Sequence, residues 1–208
     1  MPNYCDNVVT FTHTDPEMIQ RVIRGYTGEG LMAEFHPIPD KLINTIAGSY
    51  GFDDPRQAEL EAQEQANILE FGYKNWYDWA VDNWGTKWDV SADGNGEPSL
   101  GEDGLSVQFS FNSAWSPPVA FYERMEDLGF EVDAFYYEPG MGFCGRYTRG
   151  VDDYYELRGS ADEVEKQIPA EIDEMFAIVE RMADWEAEEA EWKANEQANT
   201  APNNEGQG

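Results

Sequence analysis

The sequence predicts an α+β protein, a ferredoxin-like sandwich with helices packed on one face of a mainly antiparallel sheet and an acidic helix added at the C-terminus. Three observations predict it. Segments of period two alternate with segments of helical period in the order strand, helix, strand, then hairpin, helix and further strands. The composition, 41% hydrophobic and 14% aromatic over 208 residues, supplies a core of single-domain size. No apolar run approaches the roughly 18 to 20 residues that a membrane span requires.

Val8-Val9-Thr10-Phe11 reads as the first strand. Asp15-Pro16 then opens a helix through Met18, Ile19, Val22 and Ile23, because proline fits the first helical turn and Asp caps it. Gly25 to Gly30 ends that helix as a turn; it lacks the Gly-Lys-Ser/Thr ending of a phosphate loop. Leu31 to Phe35 reads as an extended segment closed by Pro37-Ile38-Pro39. From Pro55 to Phe71, Ala58, Ala62, Ala66 and Leu69 mark a surface helix, and from Tyr73 to Trp84 the face with Trp76, Ala80 and Trp84 is strongly aromatic.

Lys87 to Val90 and Leu105 to Phe111 alternate with period two across a polar loop holding Asp93-Gly94-Asn95-Gly96, which predicts a hairpin. Pro117-Pro118 starts a helix through Phe121, Met125 and Leu128, stopped by Gly129. Strands follow over Phe130 to Glu138, Met141 to Thr148 and Val151 to Leu157. Ser160 caps a helix with Asp162 and Glu163 in its first turn, and Ile168, Ile172, Met175, Phe176, Val179 and Met182 form one apolar stripe. The expected organisation is a domain over 1–158 with a helical insertion near 55–84, an acidic helix over 159–194 packing on it, and a polar, disordered tail over 195–208.

The net charge is −29, and residues 151–208 alone carry 17 acids against 4 bases. Such a surface opposes phosphate contacts, so direct nucleic-acid binding is not expected, and neither is a membrane role. Three readings of the acidity stand side by side: a solvated surface suited to solubility or a saline cytoplasm, mimicry of a nucleic-acid backbone toward a basic groove, and divalent-cation binding. No Asp-x-Asp-x-Asp-Gly loop supports the last. Cys5 and Cys144 are the only cysteines, too few for a disulfide framework or a four-thiolate metal site, and the N-terminus lacks the features of a signal peptide. No metal and no cofactor is expected, and a reducing host cytoplasm suits the chain.

Catalytic motifs are missing. His13 and His36 stand in no Gly-x-Ser-x-Gly, Cys-His or His-Glu-x-x-His context, and a single carboxylate at Glu138 has no placed partner for acid-base work. The residues that invite a ligand are Lys87, Trp88, Trp115, Glu138 and Arg146: tryptophans for a planar ring, lysine and arginine for an anion. Against them stands a packing account. Trp84 closes the aromatic helix, Gly85 is its left-handed cap, Trp88 faces the core, and strand alternation sends Lys87 to the opposite side, into solvent. Likewise Ser116 reads as the cap of the helix begun by Pro117, and Tyr137 to Gly142 as a hairpin turn; the alternative for Glu138 is a pair with Lys87 or Arg146 in a cleft near Trp115.

Asn3, Cys5 and Asn7 at the N-terminus, Pro37-Ile38-Pro39, Asn83-Trp84-Gly85-Thr86-Lys87-Trp88-Asp89, Ala114-Trp115-Ser116-Pro117-Pro118, and Glu138, Gly140, Phe143 and Gly145 occur in an order and spacing that resembles the YubB ferredoxin-like family of phage- and plasmid-borne proteins. The resemblance covers residues 2 to about 150; Tyr4 stands where that family usually has tryptophan. It implies a ferredoxin-like topology without an iron-sulfur cluster, and a home on mobile genetic elements. It brings no established activity. The function expected first is a non-enzymatic accessory protein that binds a host or defence-system protein, one with a basic groove, through its acidic surface, as a DNA mimic would. A nucleotide-binding protein using Trp88 and Trp115 is the alternative, and an enzyme acting through Glu138 comes third.

Overall fold

The computed structural model describes residues 3–200. The chain divides into two compact units, the boundary falling between Tyr154 and Tyr155. Of the expected tail over 195–208, residues 201–208 lie outside the described residues.

The first unit is built on β1 (Tyr4–Thr12), which alternates so that Cys5, Asn7, Val9 and Phe11 are buried on one side. It lies between β3 (Ser106–Ala114) and β4 (Glu131–Glu138), antiparallel to both, in registers from Tyr4↔Ala114 to Thr12↔Ser106 and from Asp6↔Tyr137 to Thr12↔Glu131. A two-residue β2 (Ser99–Leu100) borders β3, while β5 (Phe143–Thr148) and β6 (Val151–Glu156) extend the other edge. The six-stranded sheet has the order β2-β3-β1-β4-β5-β6, and its assigned registers are antiparallel.

Helices α1 (Pro16–Thr27) and α6 (Val119–Asp127) cover the apolar face. Ile19, Val22 and Tyr26 of α1 and Phe121, Tyr122 and Met125 of α6 meet Val9, Phe11, Val107, Phe109, Phe111 and Val132 of the strands. Tyr26 stacks on Phe109 with centroids 4.0 Å apart, and its hydroxyl donates to the Ser110 carbonyl at 2.7 Å, so a ring of that size is buried without an orphaned oxygen. Removing such aromatics from water is the main source of stability, about 25 cal/mol per Å² of apolar surface.

Between β1 and β3 run α2 (Leu31–Phe35), α3 (Asp40–Ile43), α4 (Arg56–Phe71) and α5 (Trp76–Trp84). Two expectations fail here for one reason. Leu31 to Phe35 is helical, as its Leu-Met-Ala-Glu composition favours, and Lys87 to Val90 is irregular where a hairpin strand was expected. The carboxylate of Asp89 accepts from Met32 N at 2.7 Å and Ala33 N at 2.8 Å, satisfying the free amides at the start of α2. Val90 and Ala92 then bond to Leu31 and Tyr26 backbone, so β3 takes β1 as its partner instead. Gly30 makes the approach of Asp89 feasible: a Cβ there would stand 2.2 Å from Asp89 Oδ2, in a backbone at φ 152°. Burial holds the Asp89 carboxyl above its usual range, although its three amide donors pull the other way.

The second unit contains α7 (Ala161–Val164), α8 (Ala170–Phe176) and α9 (Ile178–Thr200). Ser160 stands at the expected cap position of α7, and the structure adds a capping box in which the Glu163 carboxylate accepts from Ser160 N at 2.9 Å. The apolar stripe read as one helix is broken at Ala177, which adopts φ 51°, and Asp173 Oδ1 accepts from Val179 N at 2.8 Å to restart the chain as α9. Val164, Ile168, Ile172, Phe176 and Ile178 are buried.

Candidate functional site

The segment from Trp84 to Asp89 gives each residue a separate task. Trp84 is buried in the core and its indole donates to the His36 carbonyl at 2.9 Å. Gly85 ends α5 at φ 81°, as read from sequence, and its Cα lies so close to the start of α6 that a Cβ would meet Val119 N at 3.0 Å. The Thr86 hydroxyl, fully enclosed, bonds both the amide and the carbonyl of Ala114 at 3.1 Å, fastening this loop to the end of β3. Lys87 and Trp88 project outward between Thr86 and the Asp89 cap.

Absence of a strand removes the alternation that would separate Lys87 from Trp88. The Lys87 ammonium lies 4.5 Å from the Trp88 ring, 5.4 Å from Trp115 and 5.9 Å from Tyr77, within cation–π range of all three. Tyr77 meets Trp115 edge to face at 6.2 Å. Trp88 and Trp115 are 40% and 41% exposed, so the expected core position for Trp88 is not observed: the segment that would have turned it inward is irregular.

Trp115 carries a second unusual property, a left-handed backbone at φ 69°. A bulky side chain in that region is strained by about 1–2 kcal/mol, and strain of this kind persists only where the surroundings fix it. They do so here through backbone and hydroxyl bonds. Trp115 N donates to the Asn3 carbonyl at 2.9 Å, Ser113 Oγ donates to the Ser116 carbonyl at 2.7 Å, and Ser116 Oγ donates to the Gly85 carbonyl at 2.8 Å. Ser116 is thus a clamp between the two tryptophan segments; the cap position of α6 falls to Pro118, which has no side-chain donor or acceptor. Asn7, buried in β1, completes the network by donating to Ser113 Oγ and Cys5 O at 2.8 Å.

Lys87 and Trp115 line a cleft of about 470 Å³ with Lys74, Asn75, Trp76, Tyr77, Asp78, Glu64, Ala47 and Gly48. Asn75 fixes its helical wall by accepting from Tyr77 N and Asp78 N at the start of α5. Among the described residues, neither Lys74 nor Lys87 joins an ion pair, in contrast to Lys41 with Glu70 and Lys193 with Glu189. Two ammonium groups thus stand beside half-exposed aromatic rings on a chain of net charge −29, with Glu64 and Asp78 the carboxylates of the same lining. Of the lining, sequence reasoning named only Lys87 and Trp115 as ligand residues; Lys74 and Tyr77 are the most telling of those it left out, and their signal was the aromatic helical face beginning at Tyr73.

Glu138 and Arg146 do not line this cleft. Glu138 is buried, and its carboxylate accepts from Gly140 N at 3.0 Å and from Met141 N, closing the β4–β5 turn; neither Lys87 nor Arg146 is its partner there. Gly140 packs against Asn3, and Phe143 with Cys5 and Tyr136 forms a small buried cluster. Gly145 lies under the Tyr136 ring, whose hydroxyl donates to Asp152 at 2.6 Å. Arg146 pairs with both carboxylate oxygens of Asp133 at 2.8 and 3.0 Å and covers the Phe135 ring at 4.7 Å. Glu138, Gly140 and Gly145 thus serve turn and sheet packing, and Pro117 and Pro118 lead into α6.

No family model matches this chain, and no curated protein matches it. Among solved structures, the chain is similar to the crystal structure of a protein api92 from Yersinia pseudotuberculosis, family DUF1281, with 12% identity, a TM-score of 0.40, and coverage of 77% of this chain and 99% of that one. Among the described residues, no helix is long and apolar enough to cross a membrane, and no group of three or more His, Cys, Asp or Glu side chains could hold a metal ion.

Proposed function

We propose that this is a binding protein whose ferredoxin-like sandwich presents the cleft of Lys74, Tyr77, Lys87 and Trp115 to a planar anion, a nucleotide being the simplest member of that class. The observation that carries the reading is the Lys87 ammonium held over three aromatic rings beside a strained, half-exposed Trp115. A ring stacked on Trp115 would gain ~1–3 kcal/mol, and the phosphate would face Lys87 and Lys74. The ferredoxin-like reading is supported by the order β4-β1-β3-β2, with α1 following β1 and α6 connecting β3 to β4 across it. A role as an accessory protein of a phage or mobile element, working in the host cytoplasm, rests on the sequence resemblance.

Titration with adenine and guanine nucleotides, followed by tryptophan fluorescence, tests the cleft. Saturable quenching is expected, weakened roughly tenfold or more by Trp115→Ala, in keeping with the worth of one stacked base, and weakened also by Lys87→Gln. Absence of any response at millimolar nucleotide in the folded protein would refute the proposal.

A further inference from the structure

The apolar stripe of α9 does not stop where its packing stops. Ile178 is fully buried and α9 contacts both α7 and α8 of the same unit, with Glu186 accepting from Ala161 N at 2.9 Å. Seven residues along, Trp185 lies on almost the same helical face as Ile178, and Trp192 follows seven residues later. Each of these tryptophans is 62% exposed. A face that begins in a core therefore continues into water as two large aromatic rings, the residue type most enriched where proteins anchor to one another.

The flanking charge says what fits there. From Ile178 to Thr200 the helix carries seven acids, Glu180, Asp184, Glu186, Glu188, Glu189, Glu191 and Glu196, against Arg181 and Lys193. Glu188 and Glu189 are three and four residues from both tryptophans, so they share their face, and Glu189 holds Lys193 at 2.8 Å. A second copy of this helix would bring like charges together along the seam, and an anionic lipid surface or a nucleic acid meets the same repulsion.

We propose that this stripe docks a cationic amphipathic helix of another protein, whose apolar side chains cover Trp185 and Trp192 while its arginines stack on the indoles and pair with Glu188 and Glu189. The stripe shares no residue with the cleft, and it narrows the partner expected from overall acidity to a segment of defined chemistry.

The test uses the full chain and a labelled synthetic helix with leucines on one face and arginines flanking them, followed by fluorescence anisotropy. Binding is expected, and it should weaken roughly tenfold or more when both tryptophans are changed in Trp185→Ala/Trp192→Ala, as for anchor residues elsewhere. The same peptide with glutamate in place of arginine should not bind, and salt of about 1 M, where the Debye length is ~3 Å, should weaken the complex. Both positions are exposed, so circular dichroism should be unchanged, and nucleotide quenching at the cleft should survive the double substitution. The proposal is overturned if the arginine peptide binds the double variant as tightly as the parent, since general acidity then suffices. It is equally overturned if sedimentation shows a dimer of this chain that the double variant abolishes, since a second copy then occupies the stripe.

Discussion

The cleft and the α9 stripe both hold tryptophan in water, but by opposite means. Trp115 is fixed by its backbone: φ 69°, an amide bonded to Asn3, and neighbours clamped by Ser113, Ser116 and Thr86. Trp185 and Trp192 sit on the regular helix α9, each 62% exposed. A pre-set ring, bought with backbone strain, suits a small rigid ligand, because the ordering cost of binding is met in advance. An exposed ring on a helix suits a large partner that supplies its own shape. The same residue type thus reads as a ligand platform in one place and as an interface anchor in the other.

The comparison is broken most strongly by Trp84, the buried tryptophan of the motif. Trp84→Ala should destabilise the first unit by about 3–5 kcal/mol in chemical denaturation, whereas Trp185→Ala should stay within about 0.5 kcal/mol. A large loss at Trp185 would mean that the core begun at Ile178 extends that far along α9. A smaller effect isolates the strain at Trp115. Trp115→Gly and Trp115→Ala both lose the ring, yet the glycine variant should be the more stable by about 1 kcal/mol, because only alanine resists the left-handed backbone. Equal stabilities would remove strain from the account of the cleft.

The gentlest probe is pH. Burial, and then the Arg124 charge, lower the affinity of His36 for its proton below the ordinary value of 6.5. The unfolded chain therefore binds more protons just below pH 6.5, so stability contributed by neutral His36 is present above that value and is lost as pH falls through the folded pKa. Thermal unfolding should show this decline, and His36→Asn should flatten it. An unchanged slope would place the acid sensitivity in carboxylates elsewhere.

Much of the fold was legible because its signals are local. The Asp15-Pro16 start, the Gly85 stop, the period-two runs from Phe130 onward and the Ser160 cap all act within a few residues. The failures share a longer reach. Leu31 to Phe35 is capped by a carboxylate more than fifty residues away, at Asp89, and the same bond diverts Lys87 to Val90 from the sheet. The candidate site inherited that error: residue types named Lys87, Trp88 and Trp115, while an alternation argument, valid only for a strand, set Lys87 apart from Trp88. Ser116 had the right chemistry for a cap, but its hydroxyl donates to the Gly85 carbonyl instead of accepting from the amides that open α6.

The central position of β1 has a consequence for how the chain is made. Its partners are β3 and β4, and Asn7 reaches across to Ser113, a separation of 106 residues. At ~5–20 residues per second of synthesis, β1 waits on the order of 5 to 20 s on the ribosome before either neighbour exists. During that interval Val9 and Phe11 have no sheet to enter, and the emergence of β3 supplies the first strand with which β1 can pair.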